Sequence, residues 1–480
     1  MKNLWPYILP LPLQRKELDQ VVETVFGSKA ALEILRKTSP NKRVYQKELI
    51  ARLDFSNKTI IEALKKLVSA GVLEQGMEKR RETGRTVWEK WYMPTFQGKW
   101  LALLLQSPSR VSREDTRDIV TELFMMYMEN IVKLCADYGI DPAVFESTMN
   151  KALLKMLEET KTKTPQRSRV VVYGSAAIDT IATSDRLPEA DETIYLSDVQ
   201  DYPGGAAANV AVALSRLGVP VSFVGRVGGD AGGVLLMKDF QREGVDTSGV
   251  VVDPEKVTVK TFITVDRSGG KRIHVLGGEN LTLSISLPNE VDWNKIGESE
   301  VVYIGEVFLE MAELIASFAK GRGKKVVYRP GLPIILFDAE KVRGVLRNVD
   351  FLIVNQRGWE ALRKSVGVEP TDLVKLGPEA VIVTKGMEGC ETYTRDEVFA
   401  TPTYRVKAVD ATGAGDSFAA GFISALLESR GLRDCVRFAL AVSAMSVTKK
   451  GARSALPTKA EVEDFLKQQT TSNLYAREGK

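Results

Sequence analysis

The 480-residue sequence contains a single histidine, only three cysteines and no long apolar run. Because His274 stands alone, in a stretch that alternates like a strand, a histidine-based triad or a multi-histidine metal centre is excluded. Cys135, Cys390 and Cys435 are far apart and odd in number, so neither a disulfide framework nor a zinc site is indicated. No apolar run approaches the roughly 18 residues of a membrane span. We therefore expect a cytoplasmic protein without a membrane partner.

Charge is distributed unevenly along the chain. The formal net charge is +4, yet residues 28–110 hold 17 Lys and Arg against 8 Asp and Glu, a net +9, and the remainder is net −5. A local basic excess points to a polyanionic partner better than the overall charge does. Together with changes in residue pattern, it predicts three parts, at 28–110, 111–165 and 168–466.

From Val170 onward, short β-branched runs alternate with helical stretches. Runs such as VVYIG and FLIVNQ do not alternate, which is typical of parallel strands buried on both faces. They predict an α/β layered domain with right-handed crossovers. Two alternating stretches, TIYLSDVQDY and VKTFITVDRSGGKRIHV, predict a half-exposed antiparallel sheet.

The segment DATGAGDSF, which precedes a helical stretch, has the residues of a phosphate site. Gly413, Ala414 and Gly415 are small and leave backbone N–H groups free to converge on an anion. Asp416, in the first turn of the helix, can accept a proton from a hydroxyl while those groups hold phosphoryl oxygens. The alternative is that Asp416 only caps the helix.

A second segment, GGAAAN, also runs into a helical stretch. Gly204 and Gly205 allow close backbone approach to a ligand, and Asn209 can both donate and accept hydrogen bonds. Glycines that only turn the chain are the structural alternative. Neither a G-x-x-x-x-G-K-[ST] motif nor a G-x-G-x-x-G motif after a strand occurs, so P-loop and dinucleotide-binding folds have little support.

These two segments, in this order, resemble both signatures of the ribokinase-like carbohydrate kinase family, the phosphofructokinase-B type. The resemblance covers about residues 168–466, with further matches in family order at 174–179, Asn355, 384–386 and 451–452. It implies a ribokinase-like layered domain with a small β lid. The implied activity is transfer of the γ-phosphoryl group of a nucleotide, ATP, to a hydroxyl of a sugar or nucleoside, with Mg²⁺ as cofactor.

The resemblance also implies residue roles. Asp416 is the implied general base, and the backbone of Gly413, Ala414 and Gly415 is the implied anion hole. The other implied site residues are Asp179, Gly204, Gly205 and Asn209 for substrate hydroxyls, Asn355, Thr384, Gly386 and Gly389 for the nucleotide, and Asp410 and Thr412 around a monovalent cation such as K⁺.

A few positions depart from the family pattern. Ala177 stands where the family often has a polar residue, and Ala206 stands where ribokinase has a lysine. Both differences argue against ribose bound in the ribokinase manner. Gly358 stands where the family usually has a magnesium-binding glutamate, and Glu360 follows two residues later. Arg329 either pairs with an anionic substrate group or is a solvated residue at a strand end, and we expect the latter.

The basic part, 28–110, predicts three helices followed by two strands around a Gly84 turn. Ser56 is a natural N-cap and Gly71 a natural stop for a helix over 57–69. This order resembles a winged helix–turn–helix domain with that helix as the recognition helix. The predicted DNA contacts are Lys58, Thr59, Lys65, Lys66, Arg80, Arg81 and Arg85. A domain for protein contacts, with solvated lysines, is the alternative.

Residues 113–160 predict helices, because apolar residues recur at spacings of three and four. The stripe consists of Ile119, Leu123, Tyr127, Ile131 and Leu134. It either forms a homodimer, which suits a two-fold DNA site, or packs on the winged helix of the same chain. The main hypothesis is thus a sugar or nucleoside kinase fused to a DNA-binding domain. The alternatives are a transcription regulator whose kinase-like domain only senses its ligand, and an enzyme with an assembly domain.

Overall fold

The structure is a computed structural model, in which the chain divides into two compact units, Met1–Glu146 and Ser147–Lys480. The residues that it describes are 15–39, 41–82, 85–105, 113–159, 167–267, 270–276, 281–282, 284–331, 335, 339–367 and 369–478. None of the helices in these ranges combines the length and apolarity needed to cross a bilayer. All three cysteines are buried free thiols.

The first unit combines helices with a small antiparallel sheet of order β1-β3-β2. Its elements are α1 (Arg15–Phe26), α2 (Lys29–Lys37), β1 (Val44–Tyr45), α3 (Gln46–Arg52), α4 (Asn57–Ser69), β2 (Leu73–Glu82), β3 (Arg85–Pro94), α5 (Phe96–Leu105) and α6 (Arg113–Tyr138). The three predicted helices are α2, α3 and α4, and the predicted strand pair is the hairpin β2–β3. Helix α1 was not predicted, and Gly84 lies outside the described residues.

Helix α4 begins and ends where the sequence predicts. The Ser56 hydroxyl accepts a hydrogen bond from the Thr59 N–H at 3.1 Å, which satisfies one of the free donors of the first turn. Ile60 and Leu64 are fully buried in the core of this unit. After the helix, Gly71 has φ 70, a conformation that glycine adopts without steric cost. The opposite face of α4 therefore remains available to solvent or to a partner.

Residues 113–160 were predicted to be helical, and they form α6 and α7 (Ala143–Glu159). Within the predicted stripe, Ile131 is buried whereas Tyr127 is 41% exposed, so the stripe is not buried along its whole length. The side chains of Ile119 and Leu123 lie outside the described residues. The division between the two units falls within α7, and the predicted domain boundaries stay predictions.

The second unit alternates strands and helices, as predicted. Its strands are β4 (Val170–Tyr173), β5 (Ala177–Thr183), β6 (Ser197–Gly204), β7 (Val221–Val224), β8 (Arg226–Gly228), β9 (Val251–Asp253), β10 (Val257–Val265), β11 (Lys271–Leu276), β12 (Leu281–Thr282), β13 (Val301–Ile304), β14 (Lys325–Tyr328), β15 (Phe351–Asn355), β16 (Ala380–Thr384), β17 (Cys390–Tyr393) and β18 (Val398–Thr401). Its helices after α7 are α8 (Ala206–Arg216), α9 (Ala231–Arg242), α10 (Trp293–Glu298), α11 (Leu309–Gly321), α12 (Ala339–Leu346), α13 (Gln356–Val366), α14 (Pro370–Leu376), α15 (Ala414–Leu427), α16 (Leu432–Ser446) and α17 (Lys459–Glu478).

The main sheet has the order β18-β17-β16-β15-β14-β13-β4-β7, and the strands from β16 to β7 are parallel. Successive residues of β4 face opposite sides of the sheet. Val170 and Val172 join a core with α8, α15 and α16, whereas Val171 and Tyr173 join a second core with α11 and α12. Because both faces are covered by helices, the strands carry continuous apolar runs. The predicted α/β layered fold is confirmed.

A smaller sheet, β11-β10-β5-β6 with β12 beside β10, is the predicted half-exposed sheet. Its pairs β10–β11 and β5–β6 are antiparallel, whereas β10 and β5 are parallel, a pairing that sequence alternation does not reveal. All six residues of β11 are exposed, including His274, and most of β5 is buried. We call this sheet the lid, following the expectation from sequence.

Candidate active site

The carboxyl edge of the main sheet gathers polar residues from neighbouring strands. Because these strands are parallel, residues at their carboxyl ends meet at one edge. The chain moves from β4 to β7 in one direction and from β13 to β14 in the other, so the strand order switches between β4 and β13. Such a switch point opens a crevice for a ligand. The residues at this edge are Ser175 after β4, Glu306 after β13, Arg329 after β14, Asn355 at the end of β15 and Thr384 at the end of β16.

Asp416, the predicted base, is the third residue of α15 and only 6% exposed. The N-cap of the helix is Gly413 instead, with φ 79. One carboxylate oxygen of Asp416, Oδ1, lies 2.9 Å from Nη1 of Arg329, and the other, Oδ2, accepts a hydrogen bond of 2.9 Å from Nδ2 of Asn209. The side chain therefore does not cap the helix. It faces residues of the crevice and of α8.

The first turn of α15 supplies N–H donors next to this carboxylate. Those of Gly413 and Gly415 make no hydrogen bond to any residue in the described ranges, whereas the Ala414 N–H lies 3.3 Å from the Ala411 carbonyl oxygen. Free N–H groups at a helix N-terminus bind anions. Of the three predicted members of the anion hole, the two glycines thus offer their donors without competition.

Asn209 is held by Arg453. The Arg453 Nε–H donates to Asn209 Oδ1 at 2.8 Å, its Nη2 donates to the Gly204 carbonyl at 3.0 Å, and its Nη1 pairs with the Asp239 carboxylate. Arg453 and Asp239 are 8% and 3% exposed. Since an amide has one accepting and one donating end, these bonds turn the donating end of Asn209 toward Asp416.

Two of the predicted substrate-binding residues, Asp179 and Gly204, lie in contact with each other. Asp179 on β5 is buried, and its Oδ1 accepts a hydrogen bond of 2.7 Å from the Thr261 hydroxyl. A Cβ on Gly204 would lie 2.0 Å from the other oxygen of Asp179, and Gly205 has φ 90, so both positions require glycine. Burial raises the pKa of Asp179, and the hydrogen bond from Thr261 and the charge of Arg453 oppose this only in part.

The sequence analysis missed Ser175, Glu306 and Arg453. The Ser175 hydroxyl donates to Glu306 Oε2 at 3.1 Å. Burial raises the pKa of Glu306, against the opposing charge of Arg329. A usable signal existed: Glu306 follows the buried run VVYIG directly, and Arg453 comes immediately after the family match at 451–452.

The predicted nucleotide residues lie further along the same edge. Asn355 and Thr384 are register partners of β15 and β16. Asn355 Oδ1 accepts a hydrogen bond of 2.7 Å from the Gly358 N–H and so caps α13. Gly386 and Gly389 have φ values of 58 and 93 in the turn between β16 and β17, where a side chain would be strained. This turn follows the carboxyl end of β16, beside the crevice.

Asp410 and Thr412, the predicted cation residues, are tied to each other. Asp410 Oδ1 accepts bonds of 2.9 and 2.7 Å from the Thr412 N–H and hydroxyl, and Oδ2 accepts one of 2.9 Å from the Gly451 N–H. Burial alone would raise the pKa of Asp410, but these hydrogen bonds lower it. The Lys271 ammonium group of the lid lies 3.4 Å from the Thr412 hydroxyl. The monovalent cation stays a prediction.

Comparison with known proteins decides the family. The model of the pfkB family carbohydrate kinases matches residues 167–459, which is more than half of the chain. The chain belongs to the pfkB family of carbohydrate kinases. Its enzyme class is that of a sugar kinase, as expected from the phosphate-binding segments.

Individual relatives agree with the family. Ribokinase of Haemophilus influenzae is 33% identical over 311 residues, 62% of this chain and 99% of the relative. Fructokinase-1 of Zea mays is 32% identical, covering 62% and 98%. Among solved structures, ribokinase of Thermotoga maritima has a TM-score of 0.54 at 30% identity, covering 62% of this chain and 99% of that chain. Arabidopsis thaliana ribokinase complexed with ribose and ATP has a TM-score of 0.55 at 26% identity, covering 63% and 99%.

Within this pfkB domain, Arg329 differs from our expectation. Its side chain is 19% exposed and ion-paired with Asp416, so the expectation of a solvated residue is wrong. Burial alone would lower the pKa of the Arg329 guanidinium, but the charges of Asp416 and Glu306 raise it above its usual value. The physical reason is its position: the end of β14 lies inside the crevice rather than at the molecular surface.

The residues of the pfkB site fit a magnesium ion carried by the nucleotide. Within the described ranges, no three His, Cys, Asp or Glu side chains cluster as a metal site. Magnesium on a nucleotide needs only one or two carboxylates, because phosphate oxygens and water complete its shell. A Cβ on Gly358 would lie 3.2 Å from both Asn355 Oδ1 and Ile335, so a side chain there would be tight. The next carboxylate along the chain, Glu360, accepts a hydrogen bond of 3.0 Å from Gln356.

The predicted DNA contacts belong to the first unit, outside the pfkB match. On α4, the side chains of Lys58, Thr59, Lys65 and Lys66 are all exposed, opposite the buried face. Lys79 on β2 is exposed and lies over the Trp88 ring, 5.1 Å from its centroid. The side chains of Arg80, Arg81 and Arg85 lie outside the described residues.

Proposed function

We propose that the second unit transfers the γ-phosphoryl group of ATP to a hydroxyl group of a sugar or nucleoside, with Asp416 as general base. The main observation behind this proposal is that the Asp416 carboxylate lies within one helical turn of the free N–H groups of Gly413 and Gly415. The names of relatives support the substrate class: they include ribokinases, fructokinases and a nucleoside kinase from Methanocaldococcus jannaschii.

The reaction follows from these positions. The acceptor hydroxyl donates a hydrogen bond to Asp416, and its oxygen forms a bond to the γ-phosphorus as the bond to the β-phosphate oxygen breaks. The hydroxyl proton goes to Asp416, and ADP leaves. The N–H groups of Gly413 and Gly415 bind phosphoryl oxygens as negative charge shifts toward the leaving group. Asn209 and Arg453 keep the carboxylate in place during the transfer.

The charges of the pocket favour a neutral acceptor. Asp179 and Asp416 are buried and Glu306 is half-buried. The cations near them are Arg329, which pairs with Asp416, and the exposed Lys271 of the lid, whose charge acts on Asp179, since Arg453 is already paired with Asp239. An excess of carboxylates binds hydroxyl groups well and repels an anionic acceptor. Asp179 and Asn209, with the close backbone of Gly204 and Gly205, are the proposed hydroxyl-binding groups.

The nucleotide would lie beside the ends of β15 and β16, along Asn355, Thr384, Gly386 and Gly389. Mg²⁺ bound with it would neutralise phosphate charge, and Glu360 is the first carboxylate after Asn355 along the chain. We place a monovalent cation such as K⁺ near Asp410 and Thr412, where the lowered pKa of Asp410 keeps the carboxylate charged. Removing K⁺ should lower turnover if this assignment is right.

The test is nucleotide turnover by the purified protein with Mg²⁺ across sugars, sugar phosphates and nucleosides, with Asp416→Asn beside it. Turnover with one acceptor, lost in the variant while acceptor binding persists, supports the kinase and names its substrate. If no compound of the panel is phosphorylated but one binds tightly, the result supports instead a regulator that only senses the ligand.

A second candidate function, DNA binding by the first unit, rests on the exposed basic face of α4. The order of α2, β1, α3, α4 and the hairpin β2–β3 is that of a winged helix–turn–helix domain, in which α4 would enter the major groove. Lys65→Gln with Lys66→Gln should weaken DNA binding and make it less dependent on salt, because a protein with fewer phosphate contacts releases fewer counterions when it binds. The control is Lys29→Gln with Lys37→Gln, on α2. Equal effects of the two pairs, or no salt-dependent binding, contradict the proposal and favour an assembly domain.

We also propose that the chain forms a cytoplasmic homodimer through 111–165. Apolar side chains of α6 that are 41% to 57% exposed support this, among them Val120, Phe124, Met125, Tyr127 and Val132. The free, unpaired state of all three cysteines is typical of a reducing compartment. Light scattering should give a dimer mass for the protein and a monomer mass for Phe124→Glu. A monomeric parent protein would contradict the dimer.

A further inference from the structure

Arg329 occupies a position that the mechanism so far leaves without a role. It follows β14 directly, and its backbone N–H bonds to the Ile304 carbonyl at 2.9 Å, which fixes the start of its side chain. The side chain is 19% exposed and extends to the first turn of α15. A half-buried guanidinium at this point lies beside whatever group the turn binds.

The guanidinium spans two functional groups. Its Nη1 lies 2.9 Å from Asp416 Oδ1. Its Nη2 would lie 2.4 Å from a Cβ built on Gly415, so this nitrogen covers the backbone whose free N–H belongs to the anion hole. One guanidinium therefore reaches both the base that receives the acceptor proton and the backbone that receives the phosphoryl oxygens.

The chemistry of guanidinium suits that place. It is planar, stays charged, and has five N–H donors, so it can hold a carboxylate with one nitrogen and a phosphoryl oxygen with another. The surrounding carboxylates make the crevice acidic, which would otherwise repel the phosphoryl group as it moves toward the acceptor. Arg329 is the cation paired with Asp416 that can offset this repulsion at the base. Arg453 is engaged by Asp239 and Asn209, and Lys271 is an exposed residue of the lid beside Thr412.

We propose that Arg329 is a catalytic residue that binds the transferring phosphoryl group through Nη2 while it holds Asp416 through Nη1. This rests on the proposed kinase function. As the acceptor oxygen bonds to phosphorus and the bond to the leaving oxygen breaks, the guanidinium hydrogen-bonds the equatorial oxygens and keeps its own protons. Binding to an anionic group of the acceptor is the competing role, and the acidic pocket argues against it.

The experiment compares Arg329→Met and Arg329→Lys with Arg226→Met. Arg226 is a fair control because its side chain is similarly exposed, at 20%, and is ion-paired with Asp253 at 2.6 Å and Glu290 at 3.5 Å rather than with Asp416. Arg329→Met should lower kcat about 10²- to 10³-fold, the usual loss for one donor to a transition state, with acceptor KM changed less than threefold. Arg329→Lys should lose less, and free guanidinium ion should restore turnover to Arg329→Ala.

Binding of Mg·ADP with aluminium fluoride, a mimic of the transferring phosphoryl group, is the second readout. Calorimetry should show its affinity falling with Arg329→Met and unchanged with Arg226→Met, while ATP affinity changes little. This readout needs no knowledge of the acceptor, so it tests Arg329 even if the parent protein turns over nothing, which would refute the kinase proposal itself. Unchanged kcat with a raised acceptor KM, or a lowered kcat with unchanged affinity for the mimic, would overturn the assignment. If Arg329→Met does not fold, kcat and the affinity for the mimic are both measured with Arg329→Lys instead.

Discussion

The buried pair of Arg453 with Asp239 should be the most sensitive electrostatic feature of the second unit. Arg453 is 8% exposed and Asp239 3%, and the guanidinium also bonds Asn209 and the Gly204 carbonyl. In Arg453→Met, the Asp239 carboxylate loses its buried partner and keeps its pair with Arg242, whose side chain is 72% exposed. Breaking a buried pair costs about 3–5 kcal/mol. Because Arg242 compensates in part, we expect about 3 kcal/mol.

Arg242 also provides the matched control, because it pairs with the same carboxylate from the surface. Arg242→Met should cost less than about 1 kcal/mol, as for other exposed pairs. Urea unfolding should then separate the variants: with a slope near 3 kcal/mol per molar, a loss of about 3 kcal/mol lowers the midpoint by about 1 M. Hydrogen exchange of peptides from α8 and α9, followed by mass spectrometry, restricts the measurement to the second unit.

A double change sharpens this prediction. Asp239→Asn in the Arg453→Met background removes the unpaired charge, so it should recover a large part of the lost stability. Equal losses for Arg453→Met and Arg242→Met, or no recovery in the double variant, would refute the reasoning. The pair would then contribute no more than a surface ion pair, despite its burial.

Three further predictions concern the active site. Because burial raises the pKa of Asp179 above the ordinary 3.8, the carboxylate protonates as pH falls through that raised value and becomes a weaker acceptor for the hydroxyls of the substrate. The acidic limb of kcat/KM should therefore lie above pH 3.8 and flatten in Asp179→Asn. Gly204→Ala should raise acceptor KM more than about tenfold because its Cβ would meet the Asp179 carboxylate at 2.0 Å, whereas Gly321→Ala, with open space around its Cβ, should leave KM unchanged. Titration with EDTA should show that Arg329→Met needs more free Mg²⁺ for half-maximal rate than the parent protein does; equal requirements would mean that the guanidinium does not share the neutralisation of phosphate charge.

Much of the architecture could be predicted because its signals are local. The unbroken apolar runs of β4, β13 and β15 identify parallel strands, since only a sheet covered on both faces accepts them. The N-cap residue Ser56 and the stop signal Gly71 correctly predict where α4 begins and ends. Helix α1 and the parallel pairing of β5 with β10 escaped prediction: the first follows a stretch with prolines and early charges, and the second joins segments far apart in sequence.

The sequence could predict only those site residues that belong to a sequence motif, such as the two glycine-containing segments. The glycines around Asp416 and Asn209 have a fixed spacing, so the sequence indicates their shared chemistry. Arg329, Glu306 and Arg453 come from three different loops, and only the fold brings them together. Arg329 looked like a solvated strand end because the sequence does not show which strand ends meet in a crevice.

Two departures from the family pattern lie on neighbouring strands and have opposite electrostatic effects. Gly358, just after β15, removes a carboxylate that the family usually offers to magnesium, while Arg329, just after β14, adds a fixed positive charge beside the anion hole. Losing the carboxylate weakens the hold on the metal, which leaves more phosphate charge to be neutralised by the protein. In the role proposed for Arg329, a guanidinium over Gly415 would supply that neutralisation at the atoms where the charge is transferred. On that proposal the two changes form one rearrangement, in which an arginine takes over part of the charge neutralisation that the metal provides.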